Sequence, residues 1–303
     1  MSFASQVKAE LCRQPPRKKC CAVAMAYGAL LYCNTFSPRE IRLVTASGEF
    51  AALLPRLFRR AFGLGFDEQP EPEAQGKRRF LITEPEKTAA VFRAFGMEPE
   101  DTLALHINLG VLESDCCRAS FVRGAFLAGG SVTDPLKSYH LELVTAHASV
   151  SRELGSLLYE LGFEPGQARR GANYVSYFKQ SETIADFLTA IGAPVAALDV
   201  MSAKVERDMR NEINRKVNCD TANADKTVAA AQQQLEAIRA VEREYGLDGL
   251  PEGLQQAALL RIANPAASLS DLAQLSYPPV TKSCLSHRLK KLVELGRNAG
   301  KEG

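Results

Sequence analysis

Within ten residues near the C-terminus lie Lys282, Ser283, Ser286, His287, Arg288, Lys290 and Lys291. Ammonium and guanidinium groups pair with phosphate oxygens, while hydroxyls and an imidazole can reach the hydrogen-bonding edges of bases. Whether these groups act together depends on the element that carries them. Leu285, Leu289, Leu292 and Val293 recur at helical spacing, which predicts one apolar stripe and leaves the polar set on the remaining face. Thr281 stands at the N-cap of that helix. Upstream, Ser268-Leu269-Ser270-Asp271 reads as a capping-box start for a short helix. Before it, residues 252–263 read as a helix turned inward on Leu254, Ala257, Ala258 and Ile262. Tyr277-Pro278-Pro279-Val280 supplies a stiff turn between the last two helices. This order is the layout of a helix-turn-helix, whose second helix enters the major groove of double-stranded DNA with its N-terminal residues leading. From residue 267 onward Lys282, Arg288, Lys290, Lys291, Arg297 and Lys301 outnumber Asp271, Glu294 and Glu302, the balance that phosphate contact needs. The candidate contacts are Ser268, Thr281 and the seven residues named first. The alternative is a three-helix appendage with a solvated basic face.

Other residue types could carry different chemistry. The eight cysteines include the adjacent pairs Cys20-Cys21 and Cys116-Cys117, with Cys12, Cys33, Cys219 and Cys284 elsewhere. None forms a C-x-x-C or a Cys/His zinc spacing, so small reduced core residues are the leading reading and a redox or metal role the other. His287 likewise has only Cys284 nearby and no further His or Cys to complete a metal site. No cofactor motif is recognisable, and neither a cofactor nor a metal is expected. Asn211, Asn214, Asn218 and Asn223 stand among Arg210, Arg215, Lys216 and Lys226. Asparagine reads adenine edges, but it is also an ordinary cap and turn residue, so a nucleic-acid contact and a helical connector both remain open. The local pattern predicts a helix over residues 199–217, a break at residues 218–223 with Asp220 or Thr221 as a new cap, and a second helix through residues 232–244.

The elements that must position these groups begin with FVRGAFLAGGSVTD, residues 121–134, where glycines and alanines alternate with large apolar residues. Such a segment suits a helix whose backbone closely approaches another. Gly129-Gly130 stops it, and residues 131–135 turn toward a strand. The chain repeats itself here. Residues 26–31 around Gly28 match residues 122–127 around Gly124, an offset of 96 residues. Leu43-Val44-Thr45-Ala46 recurs as Leu143-Val144-Thr145-Ala146, and residues 86–96 match 182–192. Two long copies indicate a duplicated domain and not a solenoid. Each copy reads as helix, strand, strand or loop, helix, strand, helix, an α+β layer with helices on one face of an antiparallel sheet.

Residues 121–132 resemble the LAGLIDADG helix of homing endonucleases. That likeness implies duplicated αββαββα halves forming a saddle of strands, with Gly28 and Gly124 where the two glycine helices meet. It also implies a metal-binding acid just before the final glycine. Cys33 and Gly129 occupy those positions, so hard oxygen ligands for Mg²⁺ are missing there and no catalytic residues are assigned. Over nearly its whole length the chain resembles the WhiA family of bacterial regulators. The carrying blocks are MSFASQVKAEL, FVRGAFLAGGSVTDP, RNEINRKVNCDTANADKTV and NPAASLSDLAQLSYPPVTKSCLSHRLKKLVEL. Cys284-Leu285-Ser286 departs from the Gly-Val-Asn-like trio of that family. The resemblance implies a non-enzymatic DNA-binding regulator in cell division and chromosome segregation, with sporulation control in spore-forming relatives. Two other functions are weighed beside it, a scaffold for division or transcription proteins and a residual metal-dependent nuclease.

At 303 residues the chain is long enough for several domains. The expected segments are residues 1–98 and 99–196 for the two halves, 197–248 for a connector and 249–303 for the helix-turn-helix. A net charge of +2 excludes a generally basic protein, so DNA contact must be local. No apolar run is long enough to span a bilayer and residues 1–20 lack a signal-peptide core, so a cytoplasmic, nucleoid-associated location is expected. Internal duplication makes a monomer the expected state.

Overall fold

The computed structural model describes residues 2–71, 74, 76–99 and 104–299, so Lys301 and Glu302 lie outside the described residues. It divides into two units, Met1–Asp208 and Met209–Gly303.

The first unit opens with α1 (Phe3–Arg13), where the Ser2 hydroxyl accepts the Ser5 amide at 3.2 Å. The first half then runs α2 (Lys19–Leu31), β1 (Thr35–Phe36), β2 (Ile41–Thr45), α3 (Gly48–Phe62), β3 (Arg78–Ile82) and α4 (Pro85–Ala94). The second half runs α5 (Asp115–Gly129), β4 (Gly130–Val132), β5 (Leu141–Thr145), α6 (Ala148–Glu160), β6 (Gly166–Arg170), β7 (Asn173–Phe178) and α7 (Ser181–Ile191). Each half builds its own antiparallel sheet, ordered β1-β2-β3 in one and β4-β5-β7-β6 in the other. The repeat is visible in the register. Ile41 faces Ile82 across β2 and β3, and Leu141 faces Phe178 across β5 and β7. Alternate residues of β2 and β5 are buried, the period of two that a half-covered sheet imposes. Ser131 and its neighbours, read from sequence as a turn toward a strand, are themselves β4.

The second half has the full αββαββα order, and the first lacks a named fourth strand among the described residues. There Asp67 and Glu68 only bridge to Leu81. The Asp67 carboxylate accepts the Thr83 and Glu84 amides at 2.7 and 2.9 Å and the Lys87 ammonium at 2.5 Å. The chain at this point is therefore held as a cap for α4 and does not extend along the sheet. One apolar core joins the halves. The ring of Tyr27 stacks on Phe95 at 4.2 Å and meets Phe121 edge-on at 5.5 Å.

Helix α8 (Pro194–Tyr245) is continuous, which corrects the break expected at residues 218–223. No glycine or proline interrupts it after its first residue. Asn, Asp and Thr each cost only a few tenths of a kcal/mol in an exposed helix, roughly 0.7 kcal/mol at most relative to Ala. The Thr227 hydroxyl donates to the Asn223 carbonyl oxygen at 2.9 Å, so the polar side chains bond along the helix and do not cap a new one. In the second unit the rest of α8 is followed by α9 (Glu252–Ala263), α10 (Leu269–Leu275) and α11 (Lys282–Ala299). Its core contains Ile238, Leu254, Ala258, Leu272, Leu285, Leu289 and Leu292. No helix among the described residues is long and apolar enough to cross a membrane.

Candidate nucleic-acid interface

Two places could meet DNA, the strand layer of the first unit and the last helix of the second. The first is organised by α2 and α5. A Cβ built on Gly28 would overlap the Phe121 carbonyl and lie 2.9 Å from the Ala125 nitrogen. One on Gly124 would overlap the Met25 carbonyl and lie 3.0 Å from the Ala29 nitrogen. The reciprocity is that of a two-fold crossing, with backbone touching backbone where only glycine fits. Thr145 adds a buried link between the halves, its hydroxyl donating to the Leu31 carbonyl at 3.0 Å.

The helix ends hold no carboxylate in the place the nuclease resemblance requires. A Cβ on Gly129 would lie 2.5 Å from the Val144 carbonyl and 2.9 Å from the Tyr32 ring, so the position is closed to side chains. The half-buried Cys33 thiol donates to the Thr35 carbonyl at 3.2 Å, and burial pushes its pKa up to about 12. A protonated thiol is no ligand for a hard cation. Asp134 accepts the Leu136 amide at 3.0 Å and so shapes the turn after β4. A cation that sequence reasoning missed sits at the end of α5. The Lys8 ammonium donates to the Leu127 carbonyl at 3.0 Å, where the negative end of the helix favours it, and burial pulls its pKa down to about 8.

Among the described residues, the sheets carry five arginines, of which Arg78 and Arg169 reach the carbonyls of Gly76 and Gly171 and three lie on carboxylates. Arg42 lies 3.3 Å from Glu40, Arg79 2.7 Å from Glu68 and Arg170 3.2 Å from Glu142. The charge of Arg42, Arg79 and Arg170 is locally neutralised, which weakens their attraction for phosphate.

The last helix differs. The Thr281 hydroxyl accepts the Cys284 amide at 3.2 Å and starts α11. Ser268 and Asp271 form a reciprocal capping box, with hydroxyl and carboxylate 2.8 Å apart, and start α10. Both hydroxyls therefore place helices. Leu285, Leu289 and Leu292 are buried, which turns Lys282, Ser283, His287, Lys290 and Lys291 outward and leaves Ser286 half-buried at the edge of that face. None of Lys282, Lys290 and Lys291 lies on a carboxylate among the described residues. Arg288 is separated from this row. It is half-buried over α9, 3.1 Å from where a Cβ on Gly253 would be.

Sequence reasoning also missed Arg261. This residue is 2% exposed, and its guanidinium donates to the Ala267 carbonyl at 2.7 Å with longer contacts to the carbonyls of Asn264 and Pro265. It therefore ties the end of α9 to the start of α10 and sets the frame in which α11 is presented. A lone arginine in a helix normally signals a solvated face, so only packing identifies it.

Comparison with known proteins agrees with this division. Residues 118–210 match the WhiA LAGLIDADG-like domain and residues 213–296 the WhiA C-terminal HTH domain. The probable cell division protein WhiA of Ruminiclostridium cellulolyticum is 35% identical, over 99% of each chain. That of Desulforudis audaxviator is 37% identical over 98% of this chain and 97% of its own. The crystal structure of full-length WhiA from Thermotoga maritima shares the fold, with a TM-score of 0.60 at 24% identity, covering 98% of this chain and 99% of that one. With whole-length identity at this level to two curated relatives, the chain belongs to the WhiA family.

Proposed function

We propose that this protein is a non-enzymatic, sequence-selective double-stranded DNA-binding protein that regulates transcription in cell division and chromosome segregation, reading its site through α11. The observation that carries the reading is the contrast in free charge. Among the described residues, Lys282, Lys290 and Lys291 stand exposed without carboxylate partners on a helix whose N-terminus follows a helix-turn-helix turn, while Arg42, Arg79 and Arg170 of the sheets are paired. Lys282 and Lys290 contact phosphates flanking one major groove, and Ser283, Ser286 and His287 between them face base edges. The first unit serves as a structural platform, and internal duplication lets one chain act as a monomer. The relatives named as cell division proteins support the cellular role.

Fluorescence anisotropy on a genome-selected target duplex and a scrambled one, across a salt series, tests this. Lys282→Ala and Lys290→Ala should weaken binding to both duplexes and reduce the salt slope by about one per lost phosphate contact. Ser286→Ala and His287→Ala should cost about 1–3 kcal/mol on the target and little on the scrambled duplex. If all four variants bind both duplexes as the parent does, α11 is not the reader, and a scaffold for division or transcription proteins becomes the better account.

A further inference from the structure

The duplication has a second consequence at the opposite ends of the crossing helices. Cys20-Cys21 lies in the first turn of α2 and Cys116-Cys117 in the first turn of α5, and the pairs are equivalent under the 96-residue repeat. Spacing along the chain gives no hint of a site, because the ligands come from two copies. The crossing that brings Gly28 and Gly124 together also brings these turns together. The sulfurs of Cys20, Cys21 and Cys117 all lie within 4.8 Å of one another. The Cys116 thiol is beside that of Cys21, so a fourth sulfur borders the cluster.

We propose that this cluster is a thiolate site for a soft, closed-shell metal ion such as Zn²⁺, bound by Cys20, Cys21 and Cys117 with Cys116 beside them. The donor set is that of soft-metal chemistry, since thiolates select zinc and copper(I) over hard cations. Zinc–sulfur bonds of about 2.3 Å place tetrahedral ligands roughly 3.8 Å apart, so small side-chain rotations suffice to close the cluster. Cys21 and Cys117 are buried while Cys20 and Cys116 are exposed, which gives the ion a dry inner side and a solvent entry. A cavity of about 570 Å³, bordered by Pro16, Lys18, Cys21, Cys116 and Ser120, opens beside them. Binding releases one proton for each thiol that becomes a ligand and needs no oxidant or reductant. Pinning the two first turns together would clamp the halves at the end of the crossing farthest along the helices from Cys33 and Gly129.

The test uses the full chain in a Cys219→Ser/Cys284→Ser background, which removes the exposed thiols of the second unit. Titration with Cd²⁺ in a phosphine reductant should give an ultraviolet thiolate charge-transfer band that saturates at one ion per chain and is displaced by Zn²⁺. The melting temperature should rise with the ion. Cys20→Ser, at an exposed position with little risk to folding, should weaken uptake at least as much as the roughly 10–100-fold lost with a supporting residue. Cys117→Ser should do the same. A parent that takes up no ion overturns the proposal, as does a folded Cys20→Ser variant that binds Cd²⁺ as tightly as the parent. Failure to bind metal after reduction, together with a Cys20–Cys117 disulfide mapped in protein isolated without reductant, would assign the cluster to thiol–disulfide chemistry instead.

Discussion

A single methyl group separates a helix pair that can cross from one that cannot. At Gly124 an added Cβ would overlap the Met25 carbonyl, and backbone atoms have no rotamer with which to move aside. Gly124→Ala should therefore cost about 1–3 kcal/mol by overpacking, with the larger Gly124→Leu costing at least as much. Gly65 supplies the control, because an added Cβ there would meet nothing within 4 Å and its φ is not in the left-handed region. Gly65→Ala should stay within about 0.5 kcal/mol of the parent. Urea unfolding of the three variants checks both numbers, and equal midpoints for Gly124→Ala and Gly65→Ala would show that the helices do not touch there. Glycine-dense spacing made this contact legible in the sequence. Arg261 was not legible, because a buried charge and a surface charge are written with the same letter, and only the carbonyls of Asn264, Pro265 and Ala267 distinguish them.

Elements were readable where a period or a cap announced them. Ser268 with Asp271, and Thr281 three residues before Cys284, marked two helix starts that the structure places at Leu269 and Lys282. The short strands β1, β4 and β6 escaped because two to five residues carry little periodicity, and their pairing with distant partners decides them. Helix α8 failed in the other direction, since Asn218, Asp220, Thr221 and Asn223 have cap chemistry without a cap. Cap and helix interior predict opposite signs for one substitution. Were Asp220 an N-cap, Asp220→Ala would cost about 1 kcal/mol. Exposed in the middle of a continuous helix, it should instead raise stability by a few tenths, up to roughly 0.7 kcal/mol, because Ala is the better helix former. Helical circular dichroism followed through a urea titration reads the sign directly, and a loss of helix stability would restore the break.

For the whole molecule, metal-dependent cutting by a pair of crossing helices would need oxygen ligands at the helix ends, and both places are filled by other demands. Cys33 is held by the Thr35 carbonyl, and Gly129 is pressed between Val144 and Tyr32. The expectation that the protein does not cut DNA rests on this packing as much as on the missing acids. Plasmid incubated with the pure protein and Mg²⁺ or Mn²⁺ should stay supercoiled. The sharper experiment is to put the acids back. If only ligands were missing, Cys33→Asp/Gly129→Asp would recover metal-dependent nicking. The closed position at Gly129 says otherwise. A side chain there must displace the Val144 carbonyl or the Tyr32 ring, so the double variant should lose stability by about 1–3 kcal/mol or more and still leave plasmid intact. Gly129→Ala separates the causes, since it adds the steric conflict without the charge and should account for most of the lost stability. A stable double variant that nicks plasmid would mean that the cutting site is only one step from function, and nicking by the parent that vanishes in Asp134→Ala would mean that it was never lost.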